Sequence, residues 1–441
     1  MGFLSAFKST FLLWVLVLLG CGNQPKEKTA MTEAAIPQQQ TKKAKPIVVA
    51  ANRTAEYLPL LKGKKIGVVA NQTSVIFKGA KYEEKISGQK AKTPDGKVRG
   101  TREGLETPSN YTHLIDSLLS LDIAIKKVFA PEHGFRGQAD AGEKVKDGVD
   151  AKTGLPLISL HGKNRKPSAS HLKDLDVVLF DVQDVGVRFY TYIATLQLVM
   201  EACAENNIPV IVLDRPNPNA HYIDGPTMEA AHTSFLGMTK IPLVYGMTIG
   251  EYASMINEEG WLAKKQKADL TVIQLENWNH RSEYSLQIRP SPNLPNDKSI
   301  NLYPSLGLFE GTDINAGRGT EFQFQRYGAP FLKRDNYNFE YIPKPNFGSK
   351  YPKHDGKVCY GKELSAVIKM SEVSLQWLID AYQNASDEKV VFLTKRFTKH
   401  AGTEKLQQQI EDGLSETEIK ATWQSDIEKF KKVRAKYLLY E

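Results

Sequence analysis

Four stretches, KKIGVVANQ (64–72), IAIKKVFAPEHG (123–134), DVVLFDVQDVG (176–186) and IPVIVLDRPNP (208–218), are nearly continuous apolar runs that stop at polar residues. A strand covered by helices on both faces reads this way, whereas a half-exposed strand alternates apolar and polar positions. Between the runs lie helical patterns. NYTHLIDSLLSL (110–121) places Leu114, Leu118 and Leu121 on one face, and FYTYIATLQLVMEACAENN (189–207) does the same with Ile193, Leu196, Val199 and Cys203. This alternation predicts an α/β fold with a Rossmann-like, doubly wound parallel sheet.

The N-terminus, MGFLSAFKSTFLLWVLVLLGCGNQ, combines Lys8, an apolar run from Phe11 to Leu19 and a small residue before Cys21. The run is too short for a membrane span, so residues 1–20 read as a signal peptide. LLGC resembles a bacterial lipobox, which implies cleavage before Cys21 and lipidation of its sulfur. Residues 21–47, rich in Gln, Lys, Thr and Pro, read as the lipidated cysteine and a flexible tether. The expected location is the cell envelope, anchored at the outer membrane on its periplasmic side, with membrane contact through the lipid alone.

About 395 residues remain, which by usual domain sizes predicts two domains, and a hydrophobic content of 41% is enough for their cores. The texture changes after TIGEYASMINEEGWLAKK (248–265). Residues 48–265 are therefore assigned to the Rossmann-like domain, and residues 266–441 to a smaller α+β domain that closes a cleft. Glycine-turn chemistry and aromatics in 289–331 mark an ordered, functional loop region, and the tail 403–440 reads as two solvent-facing helices. Cys203 and Cys359 read as buried thiols rather than a disulfide pair. The net charge of +8 suits an anionic glycan or a solvated lysine-rich surface equally well. No basic-aromatic motif suggests nucleic acid.

The chemistry gathers where strands end: Asn71 and Gln72, Glu132 and His133, Asp181 with Gln183 and Asp184, Asp214 with Arg215. In a parallel sheet these carboxyl ends share one edge, and ligands bind in the crevice outside it. Singly, any of the acids could cap a helix; together they point to a shared site. VANQTSVIFKG lacks the G-x-G-x-x-G of a dinucleotide site, and no G-x-S-x-G elbow occurs. His133, Asp140 and Glu143 could meet in a loop, but no His pair at i, i+4 and no CxxC accompany them, so neither metal nor cofactor is expected. In the second half, Glu310, Asn315 and Arg318 stand close in sequence. Gly317 and Gly319 would let the backbone approach a ligand while the Arg318 guanidinium binds a carboxylate or a sugar hydroxyl.

PEHGFRG, FDVQDVGVRFYTYI, LDRPNP, YGMTIGEYA, PSPNLP, YPSLGLFEGT and GRGT, in that order, resemble the exo-β-N-acetylmuramidase (NamZ-type) family from about residue 48 onward. The resemblance implies a Rossmann-like domain, a smaller C-terminal domain and a cleft between them. It also implies release of N-acetylmuramic acid from the non-reducing ends of peptidoglycan fragments of the MurNAc-GlcNAc type. The leading catalytic acid of the family falls on Glu132. Cleft-lining polar residues fall on His133, Arg136, Asp181, Gln183, Asp184, Arg188, Tyr190, Asp214, Arg215, Asn217, Glu310 and Arg318, and Asn71, Asn293 and Asn315 are further substrate-binding candidates. NAHYIDGP departs from the family pattern at Asp224, where a glutamate is often expected.

A glycosidase needs an acid at the leaving oxygen and a second group at the anomeric face. Asp181, Asp184, Asp224 and Glu310 all qualify as the second group, and assistance by the substrate's 2-acetamido group would leave the carboxylate an orienting role. Arg136, Arg188 and Arg318 are candidate partners for the lactyl carboxylate. Two other readings fit the same features: a lipid-anchored sugar- or muropeptide-binding protein, and a metal-dependent amidohydrolase.

Overall fold

A computed structural model describes residues 45–78, 110–136, 147–387 and 391–441. The signal peptide, Cys21, most of the tether, Asp140 and Glu143 lie outside them. The first part of the described chain contains strands β1 (Ile66–Ala70), β2 (Val75–Phe77), β3 (Tyr111–His113), β4 (Ile125–Ala130), β5 (Gly148–Val149), β6 (Pro156–Ser159), β7 (Val177–Asp181), β8 (Val210–Leu213) and β9 (Leu270–Ile273). Seven of them form one sheet in the order β5-β6-β4-β1-β7-β8-β9. All its pairings are parallel except β5 with β6. Counted among the parallel strands alone, the order is 3-2-1-4-5-6, that of a dinucleotide-binding Rossmann sheet, with its switch point between β1 and β7.

The apolar runs explain the layers. Every residue of β1, β7 and β8 is buried, and successive side chains serve opposite faces. Val68, Val128, Leu179 and Ile211 pack with Tyr57 and Leu61 of helix α1 (Thr54–Leu61) and with Leu114 and Leu118 of α2 (Leu114–Ser120). The predicted face of α2 loses Leu121, which lies just past the helix end and is exposed. On the opposite face, beyond the short α3 (Ala169–Leu172), Phe129, Val178, Phe180 and Val212 pack with Val199 and Cys203 of α4 (Tyr192–Glu205) and with Tyr252 and Ile256 of α5 (Ile249–Glu258). TIGE starts α5 by a capping box: Thr248 accepts from the Glu251 amide, and the Glu251 carboxylate accepts from the Thr248 amide.

β9 comes after the change of texture at residue 265, yet it pairs with β8 and closes one edge of the large sheet. The remainder holds α6 (Asp297–Leu306), a three-stranded antiparallel sheet of β10 (Arg326–Ala329), β11 (Phe339–Tyr341) and β12 (Cys359–Glu363), and helices α7 (Gln376–Gln383), α8 (Thr394–Ala401), α9 (Lys405–Glu411) and α10 (Glu416–Arg434). Its core is continuous with that of the large sheet, because Phe309, Tyr327, Leu375 and Trp423 belong to the same buried cluster as Phe180.

The tail differs from the solvent-facing pair of helices that its sequence suggests. Ile419, Trp423, Ile427 and Phe430 form a buried stripe along α10. Beyond it the chain returns to the large sheet: the Arg434 guanidinium donates to the Gly246 carbonyl, and the Tyr440 phenol donates to Asp214. The Tyr440 ring meets Trp278 edge-on at 5.0 Å. Among the described residues no helix is long and apolar enough to cross a membrane.

Candidate active site

The site starts at the turn that ends β4. Gly134 N–H donates to the Pro131 carbonyl (3.0 Å), and His133 and Gly134 both take left-handed backbone conformations, with φ of 70° and 75°. For a histidine this is a strained choice, costing roughly 1 kcal/mol or more, and such strain persists where surrounding structure enforces it. The turn sets Glu132 against the start of α4. Thr191 Oγ1 donates to Glu132 Oε2 at 2.9 Å, and the Tyr192 hydroxyl donates to the Glu132 carbonyl at 3.3 Å.

Glu132, His133, Thr191, Asn293, Glu310 and Arg318 line a pocket of ≈ 100 Å³. Its apolar wall is aromatic: the Tyr303 ring meets Phe189, Tyr190 and Phe324 edge-on at 5.1, 6.1 and 4.7 Å. Across this wall stands Glu310. Arg318 Nη1 donates to its Oε1 at 2.7 Å, and His400 Nε2 lies 3.9 Å from its Oε2. Burial alone would favour the protonated acid, but Arg318, His400 and Lys353 outweigh it and hold the Glu310 carboxyl below the usual glutamate range. Lys353 is tied in place by donating to the carbonyls of Phe309, Thr312 and Ile314, and burial lowers it to about 8. Asn315 completes the frame by donating to the carbonyls of Arg318 and Lys353, both at 3.0 Å. Through Leu236, Glu310 and Arg318 the pocket joins a wider basin of ≈ 770 Å³. The residues GRGT and FEGT therefore meet the PEHG turn in space, as the sequence suggested.

The other strand-end acids are spent inside the protein. Asp181 is fully buried and receives a bidentate Arg215 guanidinium at 2.6 and 2.8 Å. Asp184 accepts from the Gly186 amide and the Tyr245 hydroxyl, and burial pushes its carboxyl up to about 6. Asp214 accepts from the amides of Arg215 and Gly250 and the hydroxyls of Thr248 and Tyr440, yet burial still pushes it up to about 7. Asn71 donates to the Tyr192 hydroxyl, Gln183 to the carbonyls of Asp184 and Pro216, and Asn217 to that of Met247. The polar groups at these strand ends are thus bonded within the chain, and the pocket takes Glu132 and His133 from the turn after β4 and Phe189, Tyr190, Thr191 and Tyr192 from the segment after β7.

Three further expectations meet a different geometry. Arg188, expected near the ligand, is 1% exposed and donates to four carbonyls, of Pro226, Ile241, His400 and Ala401. It ties the loop after β7 to the end of α8 and has no guanidinium edge to offer a substrate. Arg136 forms a bidentate pair with Asp150 instead. Asp224 accepts from the Val373 amide, with Lys420 at 3.5 Å, and does not line the pocket. Gly317 and Gly319 serve the chain rather than a ligand: added Cβ atoms would fall 2.4 Å from the Phe322 carbonyl oxygen and 2.7 Å from Pro352.

Sequence reasoning passed over Thr191, Tyr303, Lys353 and His400. Thr191 and Tyr303 lie inside quoted motifs, and their place after a strand and on a loop-flanked helix was a usable signal. Lys353 and His400 sit in unremarkable stretches and come to the site only by tertiary packing. Among the described residues no group of three or more His, Cys, Asp and Glu stands where it could hold a metal ion.

The family model described as exo-β-N-acetylmuramidase NamZ, N-terminal, matches residues 102–298, and its C-terminal counterpart matches 301–440. The peptidoglycan β-N-acetylmuramidase NamZ of Bacillus subtilis (strain 168) is 39% identical over 373 residues, which cover 79% of this chain and 89% of that protein. The chain belongs to the NamZ family. Two crystal structures of DUF1343 family proteins from Bacteroides fragilis NCTC 9343 share the fold, each over 90% of this chain and 99% of the other. One is 39% identical with a TM-score of 0.76, the other 26% identical with a TM-score of 0.71. The two NamZ-family segments meet near residue 300, within α6.

Proposed function

We propose that the chain is an exo-acting β-N-acetylmuramidase that releases N-acetylmuramic acid from the non-reducing ends of peptidoglycan fragments during cell-wall turnover. The observation that carries this reading is the pairing of acids. Of the carboxyls at strand ends and in the loop region, Glu132 and Glu310 alone among the candidates line one pocket, and they face it with different partners. Glycosidic cleavage needs two such groups with distinct roles. Glu132, held by a neutral hydroxyl, is the general acid that protonates the leaving oxygen. Glu310, kept ionised beside Arg318, supports the positive charge that develops at the anomeric carbon, by direct attack or by orienting the 2-acetamido group. The aromatic wall around Tyr303 takes the apolar face of the sugar, and Arg318 is the partner of the lactyl carboxylate.

Turnover of a chromogenic muramic acid glycoside by the purified protein tests the reading. Release of the chromophore supports it, and tight binding of the glycoside without release replaces it with a sugar-binding protein. Activity abolished by a chelator would favour the amidohydrolase instead. Location belongs to the same proposal: Cys21 is the lipidated residue, and the tether that follows carries the enzyme at the outer membrane on its periplasmic side. Cys21→Ala is expected to move the protein from the detergent phase to the aqueous phase on partitioning. An unchanged distribution would remove the anchor from the proposal.

A further inference from the structure

The wide basin beside the pocket carries more positive charge than its neighbours use. Lys350, Lys353, Arg396, Lys399 and Arg318 all line it, against one acid, Glu310. Arg318 gives Nη1 to Glu310 and lines the pocket of the released sugar, and Lys353 is held by three backbone carbonyls. Arg396 and Lys399 are exposed on α8, and neither side chain has a hydrogen-bond or ion-pair partner among the described residues. They lie three apart on the helix, hence on one face, together with His400. His400 lies 3.9 Å from Glu310, and Arg396 stands four residues before it on the helix, about 6 Å along the axis at 1.5 Å per residue. Arg396 and Lys399 line the basin and not the pocket, where a neighbouring part of a polymer would lie.

We infer that Arg396 and Lys399 form an anion subsite for a carboxylate of the substrate that lies outside the sugar being released. This rests on the muramidase reading above. The released sugar's own carboxylate has Arg318, and two unpaired cations in a basin of ≈ 770 Å³ suit a second one. Two sources share this chemistry: the lactyl group of the next muramic acid along the glycan, and the acidic residues of a peptide stem. Charge-assisted contacts of this kind are sensitive to ionic strength and are read as a loss of affinity for the charged substrate only.

The test compares wild type with Arg396→Gln/Lys399→Gln on four substrates: an aryl muramide, the MurNAc-GlcNAc disaccharide, the corresponding tetrasaccharide, and the disaccharide bearing a peptide stem. Aryl muramide turnover and thermal melting report the folded, active fraction. The inference expects the ratio of kcat/KM for tetrasaccharide over disaccharide to fall about tenfold in the variant, through KM, with a smaller wild-type preference at high salt. A selective loss confined to the stem-bearing substrate would keep the subsite and assign it to the peptide. Equal losses on all four substrates would overturn it, since the anion held would then be that of the released sugar. Ratios unchanged for both larger substrates would also overturn it while leaving the muramidase reading intact. A wild-type protein inert on every muramide would remove that reading, and the subsite with it.

Discussion

β4 and β7 flank β1 in the same sheet, and each ends in a carboxylate on the same edge. Asp181, at the end of β7, is fully buried, and Arg215 neutralises it from within the chain. Glu132, just past β4, sits at a strained turn, accepts a hydrogen bond from a neutral hydroxyl and lines a pocket. Strand-end position is the same for both; the partner is not. A carboxylate matched with a buried guanidinium has its charge already answered and holds two loops together. One that lines an opening faces the space where a ligand binds. Glu310 shows an intermediate case, since its cations leave about a quarter of its side chain exposed to the pocket.

The contrast is broken most severely by two isosteric substitutions. Glu132→Gln keeps shape but cannot donate a proton to a poor leaving group, and loss of general acid catalysis is expected to lower kcat on the disaccharide by about two to four orders of magnitude. The loss on an aryl glycoside is much smaller, and the melting temperature stays near that of wild type. Equal losses on both substrates would take the acid role away from Glu132. Asp181→Asn inverts the pattern: it leaves the Arg215 charge buried without its partner, a defect worth about 3–5 kcal/mol of stability. Chemical denaturation measures this, and a variant as stable as wild type but catalytically dead would place Asp181 in the reaction.

A smaller effect is read by pH at another buried acid after β7, Asp184. Burial raises Asp184 from its ordinary 3.8 to about 6, so the folded chain holds a proton that the unfolded chain has released. The stability linked to it is complete below pH 3.8 and is lost as pH rises through 6, a difference of about 3 kcal/mol. Asp184→Asn is expected to flatten the stability profile between pH 4 and 7 relative to wild type, in denaturant titrations at each pH. Parallel profiles would show that Asp184 keeps its ordinary acidity.

Apolar runs that need cover on both faces spelled out the parallel sheet, and the motif order led to Glu132, Glu310 and Arg318. The roles of Arg188, Arg136 and Asp224 were not legible, because they depend on carbonyls, an aspartate and a lysine that arrive from distant segments: residues 400 and 401 for Arg188, Asp150 for Arg136, Lys420 for Asp224. Sequence reveals that a side chain is polar and near a strand end. It does not reveal whether the chain has already supplied its counterpart.

The C-terminal tail gives the mildest and most local way to sharpen the comparison. The Tyr440 phenol accepts from the Leu275 amide at 3.0 Å and donates to the buried Asp214 carboxylate. Tyr440→Phe removes both bonds while keeping the ring that packs edge-on against Trp278. A hydrogen bond to a charged group and an amide left unpaired together are expected to cost about 2 kcal/mol. Tyr440 also pulls the Asp214 carboxyl down against the burial that raises it to about 7, so without it the ionised form is less favourable still. The destabilisation should therefore be larger at pH 8, where Asp214 is ionised, than at pH 5, where it holds its proton. Because Tyr440 does not line the pocket, turnover per folded molecule should match wild type on every substrate. A pH-independent loss would detach Tyr440 from the Asp214 equilibrium. A fall in kcat at unchanged stability would mean that the tail, and with it the far edge of the sheet, governs the geometry around Glu132.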